Sequence, residues 1–112
     1  MAQLSDEMQL KVLRVLEAEP EISQRQLAKR LGVSLGKTNY CIRALLQQGY
    51  IKARNFGNSK NKRAYIYKLT AQGISAKAQA TRHFLARKER EYDELAEEIE
   101  RMRGELSSWE MD

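Results

Sequence analysis

The sequence predicts a mainly α chain with a small β element (α+β): three short helices, a basic hairpin and one long C-terminal helix. Three observations carry this. Ser5, Ser23 and Ser34 each stand just before an apolar stripe of helical spacing. Residues 57–62, GNSKNK, make a glycine- and amide-rich basic turn, and the segment after it has the β-branched and aromatic composition of a strand. From Ile74 onward, alternating steps of four and three pick out a mainly apolar series, weakened by Thr81 and Lys88 at d positions, with the spacing of a coiled-coil seam.

Each element has its own local warrant. Ser5 can cap the first helix, with Asp6 and Glu7 in the first turn where the helix dipole favours acids. Val12, Leu13 and Leu16 give that helix an apolar face, and Pro20 lies beyond its end. Ser23 opens the second helix, Gln26 completes a capping box, and Ile22 can staple onto Leu27. Leu27, Ala28 and Leu31 form its inward face, and Gly32 supplies a left-handed terminator.

The third helix is expected over 35–48, between the Ser34 cap and Gly49. Thr38, Ile42 and Leu45 fall at i, i+4 and i+7 and face inward beside Cys41. Lys37, Tyr40, Arg43 and Gln47 occupy the other side, flanked by Asn39. A short helix, a tight glycine turn and a longer helix with a polar, basic outer face match the helix-turn-helix signature. Tyr50–Phe56 and Arg63–Leu69 read as two strands around the tip, with Tyr65, Tyr67 and Leu69 on one face of the second.

Thr70 caps the last helix, with Leu69 placed to staple onto Ile74. Ala78, Leu85, Tyr92, Ile99 and Leu106 take the a positions of a heptad, and Leu95 and Met102 are among the d positions. An isolated helix cannot bury such a stripe, so a partner is expected. Glu91, Glu98 and Glu105 at g, with Arg82 and Arg103 at e, favour a parallel homodimer in which Glu98 meets Arg103 of the second copy. The alternatives are packing on its own domain or on a different protein.

Charge narrows the function. The 112 residues carry a net charge of +5, with a pI near 9.5. Residues 1–70 hold thirteen Lys and Arg against five acids, giving +8, while residues 71–112 hold seven against ten, giving −3. Not one acid occurs from Ile22 to Lys88, which reads as a surface that must not repel a polyanion. No segment is apolar enough for a bilayer span and the N-terminus lacks signal-peptide character, so no membrane partner is expected. With Cys41 the only cysteine, no intrachain disulfide can form, and a cytoplasmic setting is expected. GVSLGKT lacks the spacing and the preceding strand of a phosphate-binding P-loop. His83 is the only histidine, so no catalytic triad or histidine metal cluster can be assembled, and neither an enzyme nor a cofactor is expected.

The stretches PEISQRQLAKRLGVS, LLQQGYI and NKRAYIYKLTAQG resemble a winged helix-turn-helix of the multiple-antibiotic-resistance regulator (MarR) type, over roughly Leu4 to Gly73. SLGKTNYC with NSKNKRAYIYKLT is similar to the short regulators of that family associated with exopolysaccharide (EPS) genes. The resemblance implies a winged helix-turn-helix DNA-binding domain over residues 4–70, and the heptad spacing adds a C-terminal dimerisation helix over 71–110. Two departures stand out. Asn61 replaces the usual Asp of the wing, and the segment before the first helix is short, which puts the family's effector pocket in doubt.

The implied function is a homodimeric transcriptional regulator on a pseudo-palindromic DNA site, with no small-molecule effector expected. The third helix would enter the major groove, where Lys37 can donate to guanine and Asn39 suits adenine. Tyr40 can meet a phosphate or a thymine methyl, Arg43 the backbone, and Ser34 a phosphate. In the wing, Lys60 adds positive charge, and Lys62 or Arg63 suits the negative potential of a minor groove. The competing reading is a winged-helix interaction adaptor that uses the last helix to bind protein and no DNA. RNA has less support, because no aromatic stacking platform is evident.

Overall fold

The computed structural model describes residues 5–55 and 65–110. The elements are α1 (Asp6–Ala18), α2 (Gln24–Leu31), α3 (Leu35–Gln47), β1 (Ile51–Asn55), β2 (Tyr65–Leu69) and α4 (Ala71–Glu110). The order is mainly α with one small antiparallel sheet, as the sequence predicts. Two compact units divide it, Met1–Thr81 and Arg82–Asp112, so the first turns of α4 belong with the three-helix region.

Helix starts follow the predicted caps. The Ser5 hydroxyl accepts from the Met8 N–H at 3.2 Å, and at Ser23 both arms of the capping box with Gln26 are formed. Both α2 and α3 end in the same motif, closed by a left-handed glycine. Val33 donates to the Ala28 carbonyl and Gly32 to Lys29; Tyr50 donates to Leu45 and Gly49 to Leu46. Gly32 and Gly49 have φ of 69° and 76°, where an L side chain is strained.

The core joins all five elements of the first region. Val12, Leu13 and Leu16 of α1 meet Ile22 and Leu27, Cys41, Ile42 and Leu45 of α3, Ile51 of β1 and Tyr67 of β2. The one buried polar side chain among these elements, Thr38, is satisfied: its hydroxyl donates to the Ser34 carbonyl at 3.0 Å. β1 pairs antiparallel with β2 in a register running from Ile51 opposite Leu69 to Asn55 opposite Tyr65. The β2 backbone also docks onto the α1–α2 corner, where the Tyr67 N–H donates to the Pro20 carbonyl at 3.1 Å.

Four expectations need correction or trimming. α3 ends at Gln47, and Gln48 is its cap. β1 starts at Ile51, because the Tyr50 N–H is committed to the Leu45 carbonyl at the end of α3. Leu31 is only partly buried, packed at the edge of the core. Ile74 is 55% exposed, so the staple from Leu69 does not bury it; Leu69 packs into the core instead.

The α3–β1 corner carries the start of α4. The Thr70 N–H donates to the Tyr50 carbonyl at 3.0 Å, its hydroxyl donates to the Gly49 carbonyl at 2.6 Å, and that hydroxyl accepts from the Gly73 N–H at 3.0 Å. A Cβ on Gly73 would sit 1.9 Å from the Tyr50 oxygen, so only glycine allows this approach. One turn further, Lys77 forms an ion pair with Glu17 of α1, and Ala80 is buried. Gly73, Lys77 and Ala80 thus form an inward stripe at i, i+4 and i+7, separate from the predicted seam.

Candidate nucleic-acid interface

The outer face of α3 is available because its inner face is fully used. Thr38, Cys41, Ile42 and Leu45 are at most 1% exposed, whereas Lys37, Asn39, Tyr40 and Arg43 all face solvent. This follows from the helical period: four inward positions spaced three and four apart leave the polar positions between them outside. Leu35, at the first position of the helix and 47% exposed, adds one apolar spot that the sequence reading passed over.

Local contacts organise that face. The Ser34 hydroxyl accepts from the Lys37 N–H at 3.0 Å, which leaves its own hydrogen to donate outward at the positive end of the helix. The Lys37 ammonium sits 5.2 Å from the centroid of the Tyr40 ring, within range of a cation–π contact. Asn39 is tied down as well: its Nδ2 donates to Gln24 Oε1 at 3.2 Å. Gln24 in turn donates from Nε2 to the Tyr67 hydroxyl at 3.1 Å. Neither bond was legible in the sequence, since Gln24 lies 15 residues from Asn39 and 43 from Tyr67.

The structure brings Ser34, Lys37, Asn39, Tyr40 and Arg43 onto one helix. The wing residues Lys60, Lys62 and Arg63, with Asn61 and the tip 57–62, lie outside the described residues. The strands that flank them present Lys52, Arg54 and Lys68 to solvent. Arg25 and Lys29 are exposed on α2, where Arg30 is engaged in a two-pronged ion pair with Glu19 (Nη2–Oε1 2.9 Å). The hydrogen bond from Arg30 holds the Glu19 carboxyl below its ordinary pKa.

Cys41 is a core residue. It is completely buried, and burial pushes its thiol pKa up, with the Lys37 charge opposing. A redox role would need an accessible thiolate, which this position does not provide. No cluster of His, Cys, Asp and Glu suited to a metal occurs among the described residues, and no described helix is long and apolar enough to cross a membrane.

The second surface is the distal part of α4. Leu85, Tyr92, Leu95, Ile99, Met102 and Leu106 are between 40% and 71% exposed, and Trp109 reaches 84%. Ala78, at the seam's first a position, is also exposed.

Residues 5–52 match the family described as winged helix-turn-helix DNA-binding. No curated protein matches the chain in sequence. Among solved structures, the chain is similar to the transcriptional repressor CouR bound to a 23-mer DNA duplex, at 27% identity and TM-score 0.66 over 83% of this chain and 63% of that one. It is similar to a cysteine-to-serine mutant of MarR from E. coli complexed with operator DNA, at 28% identity and TM-score 0.54 over 66% of this chain and 51% of that one. FabT of Streptococcus pneumoniae in complex with DNA shares the fold, at 24% identity and TM-score 0.57 over 76% of this chain and 58% of that one. The matched part therefore spans about half to two-thirds of these regulators' own length. The chain folds as a winged helix-turn-helix, residues 5–52 match the DNA-binding family of that description, and the solved structures it resembles include MarR of E. coli and the transcriptional repressor CouR.

Proposed function

We propose that the protein is a sequence-specific, double-stranded DNA-binding transcriptional regulator that acts as a homodimer, with residues 4–70 binding DNA and 71–110 pairing two copies. The recognition helix, 35–47, enters the major groove, and the wing, 57–63, meets the adjacent minor groove. A single observation carries this reading: α3 exposes Lys37, Asn39, Tyr40 and Arg43 while its opposite face is sealed in the core, in a chain without an acid from Ile22 to Lys88. Phosphate neutralisation dominates affinity for a duplex, and an acid on that face would oppose it.

The exposed stripe on α4 supports the homodimer, because two copies in parallel would cover it and set two winged domains on a pseudo-palindromic site. The likeness of SLGKTNYC and NSKNKRAYIYKLT to EPS-associated regulators makes exopolysaccharide genes the proposed targets. The repressor CouR and MarR, both solved on DNA, lend the DNA-binding part further support.

Selection of bound sites from random duplexes tests binding, symmetry and spacing together. A recurrent pseudo-palindrome is expected; salt-insensitive or absent binding favours the adaptor alternative. In anisotropy titrations at two salt concentrations, Lys37→Ala and Arg63→Ala should each weaken binding, and Arg63→Ala should lower the salt slope by about one phosphate contact.

A further inference from the structure

Gln24 sits at the first position of α2, half-buried, between the recognition helix and the wing strand. Its amide is used at both ends. Oε1 accepts from Asn39 Nδ2 at 3.2 Å, and Nε2 donates to the Tyr67 hydroxyl at 3.1 Å. Tyr67 is itself anchored, 6% exposed in the core, with its N–H bonded to the Pro20 carbonyl. The chain Tyr67–Gln24–Asn39 therefore runs from a rigid strand to an exposed side chain on the DNA-facing helix.

The direction of these bonds has a chemical consequence. Asn39 spends one of its two Nδ2 hydrogens inward. One Nδ2 hydrogen and Oδ1 remain, the donor and the acceptor that N7 and the N6 amino group of adenine require in a major groove. An unrestrained asparagine would have to lose rotamer freedom and choose between two amide orientations on binding.

We propose that Gln24 is a positioning residue for base recognition: held by Tyr67, it fixes the Asn39 amide in the orientation that reads adenine. This rests on the DNA-binding reading above. Gln24 touches no base. Its contribution appears as discrimination at one base pair per half-site, not as general affinity for a duplex.

The test uses the full chain and a duplex chosen by selection, compared with the same duplex changed at each base pair in turn. Asn39→Ala should lower discrimination against replacement of one adenine by about tenfold. Gln24→Leu should lose most of the same preference, at the same base pair, while binding an unrelated duplex within about twofold of the parent. Tyr67→Phe, which keeps the ring in the core, should lose part of it. Gln24→Leu added to Asn39→Ala should cost nothing further, since both act through one side chain. The Asn39 side-chain amide signals in 15N NMR of the DNA-free protein should shift in Gln24→Leu and Tyr67→Phe.

Preserved discrimination in Gln24→Leu, additive losses in the double variant, or an unmoved Asn39 amide signal would each overturn the positioning role. A parent protein that binds no duplex selectively overturns the regulator reading, and the base-reading half of this inference with it. In that case the NMR shifts alone would still score the Tyr67–Gln24–Asn39 link.

Discussion

The winged region and the distal part of α4 both carry apolar stripes of helical spacing, yet they end in opposite states. In the winged region, Leu13, Leu16, Leu27, Ile42 and Leu45 are at most 1% exposed. From Leu85 to Trp109, no large apolar side chain of the seam is less than 40% exposed. The difference lies in what surrounds each stripe. Three short helices and a hairpin fold back on one another and cover every inward face, whereas nothing in its own unit covers a single helix. That exposed stripe is the surface the proposed second copy would cover. The contrast separates a part that folds by internal packing from a helix whose apolar face its own unit leaves exposed.

The sharpest way to break this comparison is to truncate one residue in each region. Leu45→Ala should cost about 2–5 kcal/mol of stability in urea unfolding, because it opens a cavity in a filled core. Gly73→Ala should cost about 1–3 kcal/mol, since its Cβ would strike the Tyr50 carbonyl and force the start of α4 off the α3–β1 corner. Ile99→Ala in the distal helix should leave the unfolding of a dilute sample nearly unchanged. In sedimentation equilibrium, however, it should weaken self-association by about tenfold, or ~1.4 kcal/mol.

Gly104→Ala inverts the Gly73 result. A Cβ there meets nothing within 4 Å, so the same substitution should stabilise the helix by about 0.5–1 kcal/mol. Gly73 and Gly104 lie on one helix, and opposite signs in thermal melts would show that environment and not helix propensity decides. Equal signs would abolish the distinction between the two regions.

The smallest effect concerns pH. Arg30 hydrogen-bonds the Glu19 carboxylate and depresses its folded pKa, so the pair's contribution is fully present above the unfolded carboxyl pKa. It fades as pH falls through the folded value. Glu19→Gln should flatten that part of the acid limb slightly, because the pair is solvent-exposed and screened.

Much of this was readable in advance because it is local. Ser5, Ser23 and Ser34 cap their helices through bonds three residues long, and Gly32 and Gly49 end α2 and α3 with left-handed turns. The exposed and buried sides of α3 follow from spacing alone. The site was legible only as far as that helix: Lys37, Tyr40 and Arg43 needed no knowledge of any other element. Asn39 flanks that face by spacing, but its tether is not encoded there, because Gln24 meets it only through the crossing of α2 and α3. Likewise local spacing makes Ile74 a staple residue, whereas the packing of Leu69 against the core leaves it exposed.

By itself, then, the sequence determined the helices, their caps, the inward stripes and an acid-free basic surface, all consequences of side chains three or four positions apart. Only tertiary structure decided that Gly73 must be glycine, that Lys77 reaches Glu17, that Tyr67 bonds Pro20 and that Gln24 holds Asn39. Those contacts join residues far apart along the chain. Their geometry depends on how helices cross, and no periodicity within one segment encodes a crossing.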